Sequence, residues 1–304
     1  MYSNKTGVHM DVQHLRVFVA VATHLHVSKA AQTLHLAQPA VSRAIRELEQ
    51  SCGGVALLQK VGRNIRLTEA GEILLGHAHR ILAEITDAQM SMHARRNATA
   101  GRVRIGAPPT IGQRLLPPAL ARFRALHPAV ELRIEQGGTS QLLTHLELGE
   151  IDIAVVTMPI PTRHHHIEIL FDEPLVVVMH RTHPLAQHTQ IALQMLNDES
   201  FLLYPAVYEM HSTIIAACKT AGFTPKIALD GGDVGLLLEL AAAGLGVAIV
   251  PQLAIRGNEE IVARPLSAAV LTRQMALIQR SDRSSTVASR ALFEALARDL
   301  RMEL

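Results

Sequence analysis

The 304-residue chain has no tryptophan, 3% aromatic residues and two cysteines. Each shortage removes a class of function. So few flat rings give no platform for stacking the bases of a single strand. Cys52 and Cys218 stand far apart with no CxxC, so neither a disulfide framework nor a cysteine zinc site is expected, and both read as free thiols. No run reaches the roughly eighteen uninterrupted apolar residues of a membrane-spanning helix. The opening MYSNKTGVHM lacks the apolar stretch of a secretory signal, which points to the cytoplasm. Neither a hydrolase GxSxG nor a metalloprotease HExxH is present. Gly244-Leu245-Gly246 lacks a third glycine and runs into a strand-like segment, not out of one, so no cofactor is expected. His164-His165-His166 falls in an expected loop, and adjacent histidines do not supply the spaced ligands of zinc, so no metal is expected.

Hydrophobic residues make up 48% of the chain, enough for two or three folding units of ordinary size. The formal net charge is only +2, but it is unevenly spread. Residues 1–100 hold 11 Lys/Arg against 7 Asp/Glu, and the remaining 204 hold 18 against 20. A basic first third joined to a mildly acidic remainder fits a polyanion partner for the N-terminal part.

Residues 11–25 read as a helix with Leu15, Phe18, Val19 and Ala22 on one face. Ser28 is a good N-cap for a short second helix over 28–36, with Ala30, Ala31 and Leu34 inward. A third helix follows in HLAQPAVSRAIRELE, residues 35–49. Its apolar positions recur at three- and four-residue steps, and Pro39 fits only near its first turn. Gly53-Gly54 breaks it, and residues 55–68 read as two short strands around Gly62-Arg63-Asn64.

Three short helices and a basic hairpin form the grammar of a winged helix-turn-helix. The N-terminal residues of the third helix then face base edges in the major groove. Gln38, Ser42 and Arg43 are the candidate readers, since Arg pairs with guanine and Gln with adenine. Arg46 is a candidate phosphate contact, with Ser28, Lys29, Pro39 and Arg63 completing the candidate DNA face.

Residues 68–96 read as one long helix capped by Thr68, with Glu69 and Glu72 in its first turns. Leu74, Ala78, Ile81, Ile85, Ala88 and Met92 follow a heptad spacing that would pair with a second copy, or pack against their own domain. Residues 95–101 then mark a polar linker.

From Arg102 onward, strand-like segments (103–107, 130–136, 151–156, then 201–205, 226–230, 246–252) alternate with helical ones (114–127, 140–150, 212–222, 234–244). The alternation predicts parallel sheets with crossover helices in two lobes, about 101–171 with 274–304, and about 172–273. Polar residues stand where strands give way to helices: Thr110, Thr139, Ser140, His211, Ser212 and Asp233. Helix N-termini and the carboxyl ends of strands are where such sheets take anionic ligands. Thr110, Thr139, Ser140 and Asp233 are therefore candidate effector residues, with Ile111, Met158 and Val234 added to the set, and an organic acid is the expected ligand class.

The segments FVAVATHLHVSKAAQTLHLAQPAVSRAIRELE and GRNIRLTEAGE closely resemble the N-terminal domain of LysR-type transcriptional regulators. LELGEIDIAVV and AAAGLGVAIVP resemble that family's effector domain, so the likeness spans residues 11 to about 302. It implies an α/β protein with a winged helix-turn-helix over 11–67 after a 1–10 extension. A linker and dimerisation helix over 68–100 and a two-lobed effector domain over 101–304, similar to periplasmic binding proteins, complete it. It also implies a homodimer or homotetramer on an interrupted palindrome in double-stranded promoter DNA, a small-molecule effector, and contact with RNA polymerase. By matching position, Gln38, Pro39, Ser42 and Arg43 fall on the recognition helix, Arg63 on the wing, and Thr110, Thr139 and Tyr204-Pro205 on the cleft and hinge. The chain departs from the family at 52–60, where the segment is one residue longer and Lys60 replaces an arginine that clamps phosphate bidentately. The rival readings are a solute-binding receptor with the same two-lobed fold, and an α/β enzyme with an unrelated N-terminal dimerisation domain.

Overall fold

The computed structural model describes residues 10–61, 64–94, 101–255, 257–267, 271–282 and 285–301. The chain divides near His93 into two units.

In the first unit, α1 (Val12–His24) starts where the Asp11 carboxylate accepts the Gln13 N–H at 2.8 Å. It stops where Leu25 turns left-handed at φ 48°. The helix α2 (Val27–Thr33) is capped by His26, not by Ser28 as the sequence implied. The extended His26 backbone lets its Nδ1 accept the Ser28 N–H at 3.2 Å, which puts Ser28 inside the first turn. Pro39 sits in the first turn of α3 (Gln38–Ser51). Val41, Ile45 and Leu48 of α3 close on Leu15, Phe18 and Val21 of α1 and on Ala30 and Ala31 of α2. Phe18, Leu15 and Leu48 are almost wholly withdrawn from water, so each contributes roughly 1.5–3 kcal/mol.

The strands β1 (Leu58–Val61) and β2 (Asn64–Leu67) pair antiparallel as the expected hairpin. The Thr68 hydroxyl accepts the Gly71 N–H at 3.0 Å and donates to Ala56 O at 2.7 Å, tying the start of α4 (Glu69–Ala94) to the hairpin. A Cβ on Gly71 would lie 2.1 Å from Leu57 O, so only glycine allows that approach. Of the heptad seam, Leu74 and Ala78 pack into this unit's own core, as does Leu82 beside them. Ile81 stays 38% exposed, and the side chains of Ala88 and Met92 lie outside the described residues.

The second unit is two lobes strung on one long strand. In chain order its elements begin β3 (Gly101–Ala107), α5 (Pro109–Arg114), α6 (Leu116–Leu126), β4 (Val130–Gln136), α7 (Thr139–Leu148) and β5 (Ile153–Thr157). Then come β6 (His165–His180), β7 (Ile191–Ala192), β8 (Ser200–Leu203), α8 (Glu209–Thr220), β9 (Lys226–Asp230) and α9 (Val234–Ala242). β10 (Ala248–Pro251), β11 (Ile261–Ser267), β12 (Thr272–Arg280) and α10 (Val287–Asp299) complete it.

Lobe I is built on β4-β3-β5-β12 and the first half of β6. Ile153 and Val155 of β5 face one apolar layer, with α6 and α10, while Ala154 and Val156 face another, with α7. Burial on both faces explains why β5 is an unbroken apolar run. Lobe II gathers the second half of β6 with β8, β9, β10, α8 and α9 around Phe201, Leu203, Ile214 and Leu237.

Four expectations change here. The sheets are mixed: β3-β4, β3-β5 and β8-β9 are parallel, but β12, β10 and β11 all run antiparallel to a neighbour. β6 had been hidden by the polar Asp172-Glu173-Pro174 between its two apolar halves, and it is the crossing between lobes. The histidine triplet is not all loop, since His165 and His166 open β6 and only His164 turns, at φ 65°. The helix expected over 114–127 breaks at Leu115 into α5 and α6.

Candidate functional site

Two sites emerge, one on each unit. On the first unit, α3 presents Gln38, Pro39, Arg43 and Arg46 to solvent, with Ser42 half-buried. The Ser28 hydroxyl donates to Gln38 Oε1 at 3.2 Å, which fixes the turn between α2 and α3. Arg43 is 76% exposed, and its Nε donates to Glu47 Oε1 at 2.7 Å. Glu47 in turn lies 3.2 Å from His14 on α1. The Arg43 hydrogen bond holds the Glu47 carboxyl below its usual range and raises the arginine further. Arg46 Nε reaches back to Ser42 O at 3.3 Å. Lys29 is exposed on α2, as are Lys60 and Arg66 on the hairpin. Arg63 lies outside the described residues. The result is a helix whose buried stripe is apolar and whose outer face carries guanidinium, amide and hydroxyl groups, the donor set that reads base edges and phosphates.

On the second unit, a narrow cavity of about 40 Å³ opens between the lobes. That is room for a few waters. Thr110, Thr139, Tyr204, Asp233 and Val234, named from the sequence, all line it. The other four, Ile111, Ser140, Met158 and Pro205, do not. Ile111 is wholly buried in the apolar layer of lobe I, and Met158 packs beside Leu142 and Val156. Pro205 opens a turn, its carbonyl accepting the Tyr208 N–H at 2.9 Å. Ser140 joins the site through its hydrogen bonds, described next. His211 and Ser212 are not at a helix start, because α8 begins earlier, at Glu209.

An ion pair not singled out from the sequence stands at the cavity, with Arg273 in its wall. Arg273 on β12 pairs across the strands with Glu173 on β6, Nε to Oε2 at 2.7 Å, with Arg273 7% and Glu173 0% exposed. Arg273 Nη2 also donates to Thr110 Oγ1 at 2.6 Å, and Glu173 Oε1 accepts the Leu253 N–H at 2.8 Å. One buried ion pair thus stitches α5 to both strands where the chain crosses between lobes. Buried charge survives there because each group is paired and hydrogen-bonded.

Opposite it, Glu209 of α8 points at the start of α7. Its carboxylate accepts the Ser140 N–H at 2.9 Å, the Ser140 hydroxyl at 3.1 Å and the Thr139 N–H at 3.3 Å. The Thr139 hydroxyl is used differently, accepting the Thr157 N–H at 3.1 Å. Asp233 caps α9 by accepting the Leu236 N–H at 3.0 Å. Tyr204 is 4% exposed, its hydroxyl has no hydrogen-bond partner among the described residues, and burial pushes its phenol upward. The site therefore offers a helix N-terminus that accepts a carboxylate, beside an unused O–H donor.

Known proteins match most of the chain's length. Residues 12–72 match the family described as bacterial regulatory helix-turn-helix protein, lysR family, and residues 96–301 match the LysR substrate binding domain. The chain is 31% identical over 287 residues to YwbI of Bacillus subtilis strain 168, described as an HTH-type transcriptional regulator, covering 94% of this chain and 95% of that one. It is 30% identical over 247 residues to a hydrogen peroxide-inducible genes activator of Dickeya chrysanthemi, covering 81% and 80%. The structure of full-length CbnR in complex with its target DNA is similar in fold, with a TM-score of 0.71 at 24% identity over 95% of this chain and 100% of that one.

Proposed function

Because the chain belongs to the LysR family of bacterial transcriptional regulators, we propose how its two units share the work of a ligand-responsive DNA-binding protein. The family's members are regulators rather than enzymes, and a solute-binding receptor is not favoured. The first unit, over 11–67, binds duplex DNA with α3 in the major groove. Gln38, Ser42 and Arg43 meet base edges, while Arg46, Ser28, Lys29, Pro39 and Arg63 lie toward the backbone. Two copies joined through the 68–100 segment set two such helices on the halves of an interrupted palindrome, in the cytoplasm and within reach of RNA polymerase.

The second unit, over 101–304, takes a small organic acid between its lobes. The observation that carries this reading is the start of α7, where two N–H groups and a hydroxyl converge on a carboxylate. Helix N-terminal donors of this kind favour anions over neutral groups. A thermal-shift series of mono- and dicarboxylates against their uncharged amides tests it, since a ligand bound only by the folded protein raises its melting temperature. Stabilisation by carboxylates and not by amides is expected. Stabilisation confined to amines or neutral sugars contradicts the ligand class. A thiol-based peroxide response is not favoured by Cys218, which is fully buried and whose thiol is pushed by that burial up to about 11, leaving little thiolate at neutral pH.

A further inference from the structure

We infer that Glu209 is a tethered stand-in for the effector, occupying the carboxylate subsite at the start of α7 and having to leave it before a ligand can bind. The inference rests on the reading of the cleft as an organic-acid site. Glu209 is the first residue of α8, and Tyr208 before it makes no side-chain cap. An acidic residue there would ordinarily serve the N-terminus of its own helix. Instead its two carboxylate oxygens cross to lobe I and take two N–H groups and a hydroxyl from the first turn of α7. The carboxylate thus lies near the positive ends of two helices at once, one in each lobe. This is the environment a ligand carboxylate would seek, and it is already filled from within the chain.

A second observation says that the cavity is nonetheless built for something else. The Tyr204 hydroxyl is buried in the cavity wall and makes no hydrogen bond among the described residues. A buried polar group without a partner costs stability, and Glu209 does not relieve it. A ligand that expels Glu209 and carries an acceptor beyond its carboxylate satisfies both ends of the cavity, α7 at one and Tyr204 at the other. The matching ligand class is a small acid with a second oxygen acceptor, such as a keto, hydroxy or dicarboxylic acid.

The contact has two consequences. It lowers the apparent affinity for the acid by the fraction of molecules in which Glu209 is seated, about tenfold if nine in ten are seated. It also holds α8 against α7 in the absence of ligand, so expulsion changes what ties the two lobes together.

Chemical rescue tests this on the full-length protein. Melting temperature is followed for wild type, Glu209→Ala and Glu209→Gln during titration with sodium propionate, and separately with propionamide, at constant ionic strength. Propionate is expected to stabilise both variants at concentrations about tenfold lower than wild type requires, while propionamide does nothing. The Gln variant keeps the side chain's size and carries the test if the Ala variant does not fold. Equal propionate responses in all three proteins would overturn the tethered-occupant role while leaving the organic-acid site standing. No propionate response in any of them would overturn both.

Discussion

The charges of α3 and the charges of the cleft are arranged in opposite ways. On α3, Arg43 and Glu47 form a pair open to water, one turn apart on the same helix. In the cleft, Arg273 and Glu173 form a pair sealed from water and drawn from strands 100 residues apart. Exposed pairs are screened and add little to folding, so α3 can spend its charge on a partner molecule. Removing one member of a buried pair is costly, because it strands the other charge without water. A side chain's charge therefore says little about its role until its burial is known.

Substituting the cleft pair should give the largest effect. Arg273→Met leaves Glu173 buried and unpaired and is expected to cost about 3–5 kcal/mol in urea unfolding. Adding Glu173→Met should recover most of that loss, and a double variant no better than the single one would mean the pair is not the source.

Next comes a pH effect from the same unit. The folded-state Cys218 thiol lies at about 11 against an ordinary 9.0, because burial disfavours the thiolate. Its contribution to stability is whole below about pH 9 and is lost as pH rises through about 11, a fall of about 3 kcal/mol. Urea midpoints at pH 7.5 and 10.5 should converge more closely in Cys218→Ala than in wild type.

Thr139→Val is smaller again. It strips the Thr157 N–H of its acceptor and should cost about 1–3 kcal/mol, while the N–H groups of Thr139 and Ser140 still bind carboxylate. A large loss of carboxylate binding in this variant would place its hydroxyl in ligand contact instead.

Arg43→Ala should leave the melting temperature within error, yet weaken specific DNA binding roughly tenfold or more at fixed salt. Random duplexes selected by the wild-type protein supply the DNA for this comparison. Unchanged affinity would remove Arg43 from base readout.

The same contrast explains what the sequence disclosed. Helix α3 was legible because its apolar period, Pro39 and polar outer face lie within fifteen residues. Thr110, Thr139 and Asp233 were legible because helix starts have a local signature. Glu209 was missed because its partners sit 70 residues away in the chain and its meaning is wholly tertiary. Arg273 and Glu173 were missed for the same reason, though charge inside FDEPL and LTRQMAL, flanked by apolar runs, was a usable signal. Ile111 and Met158 were assigned to the cleft by closeness in sequence, and their side chains went to the core. The seam of α4 was read from spacing alone, which does not distinguish a second copy from the helix's own domain, and Leu74 and Ala78 face the latter.

Coupling between the two units is the property on which a ligand-responsive regulator depends. A selected duplex labelled at both ends reports it by energy transfer, titrated with full-length protein at fixed salt, with and without the most stabilising carboxylate. A shift of about fivefold or more in the binding midpoint, or a changed end-to-end transfer at saturation, is the expected result. Superimposable curves would contradict it.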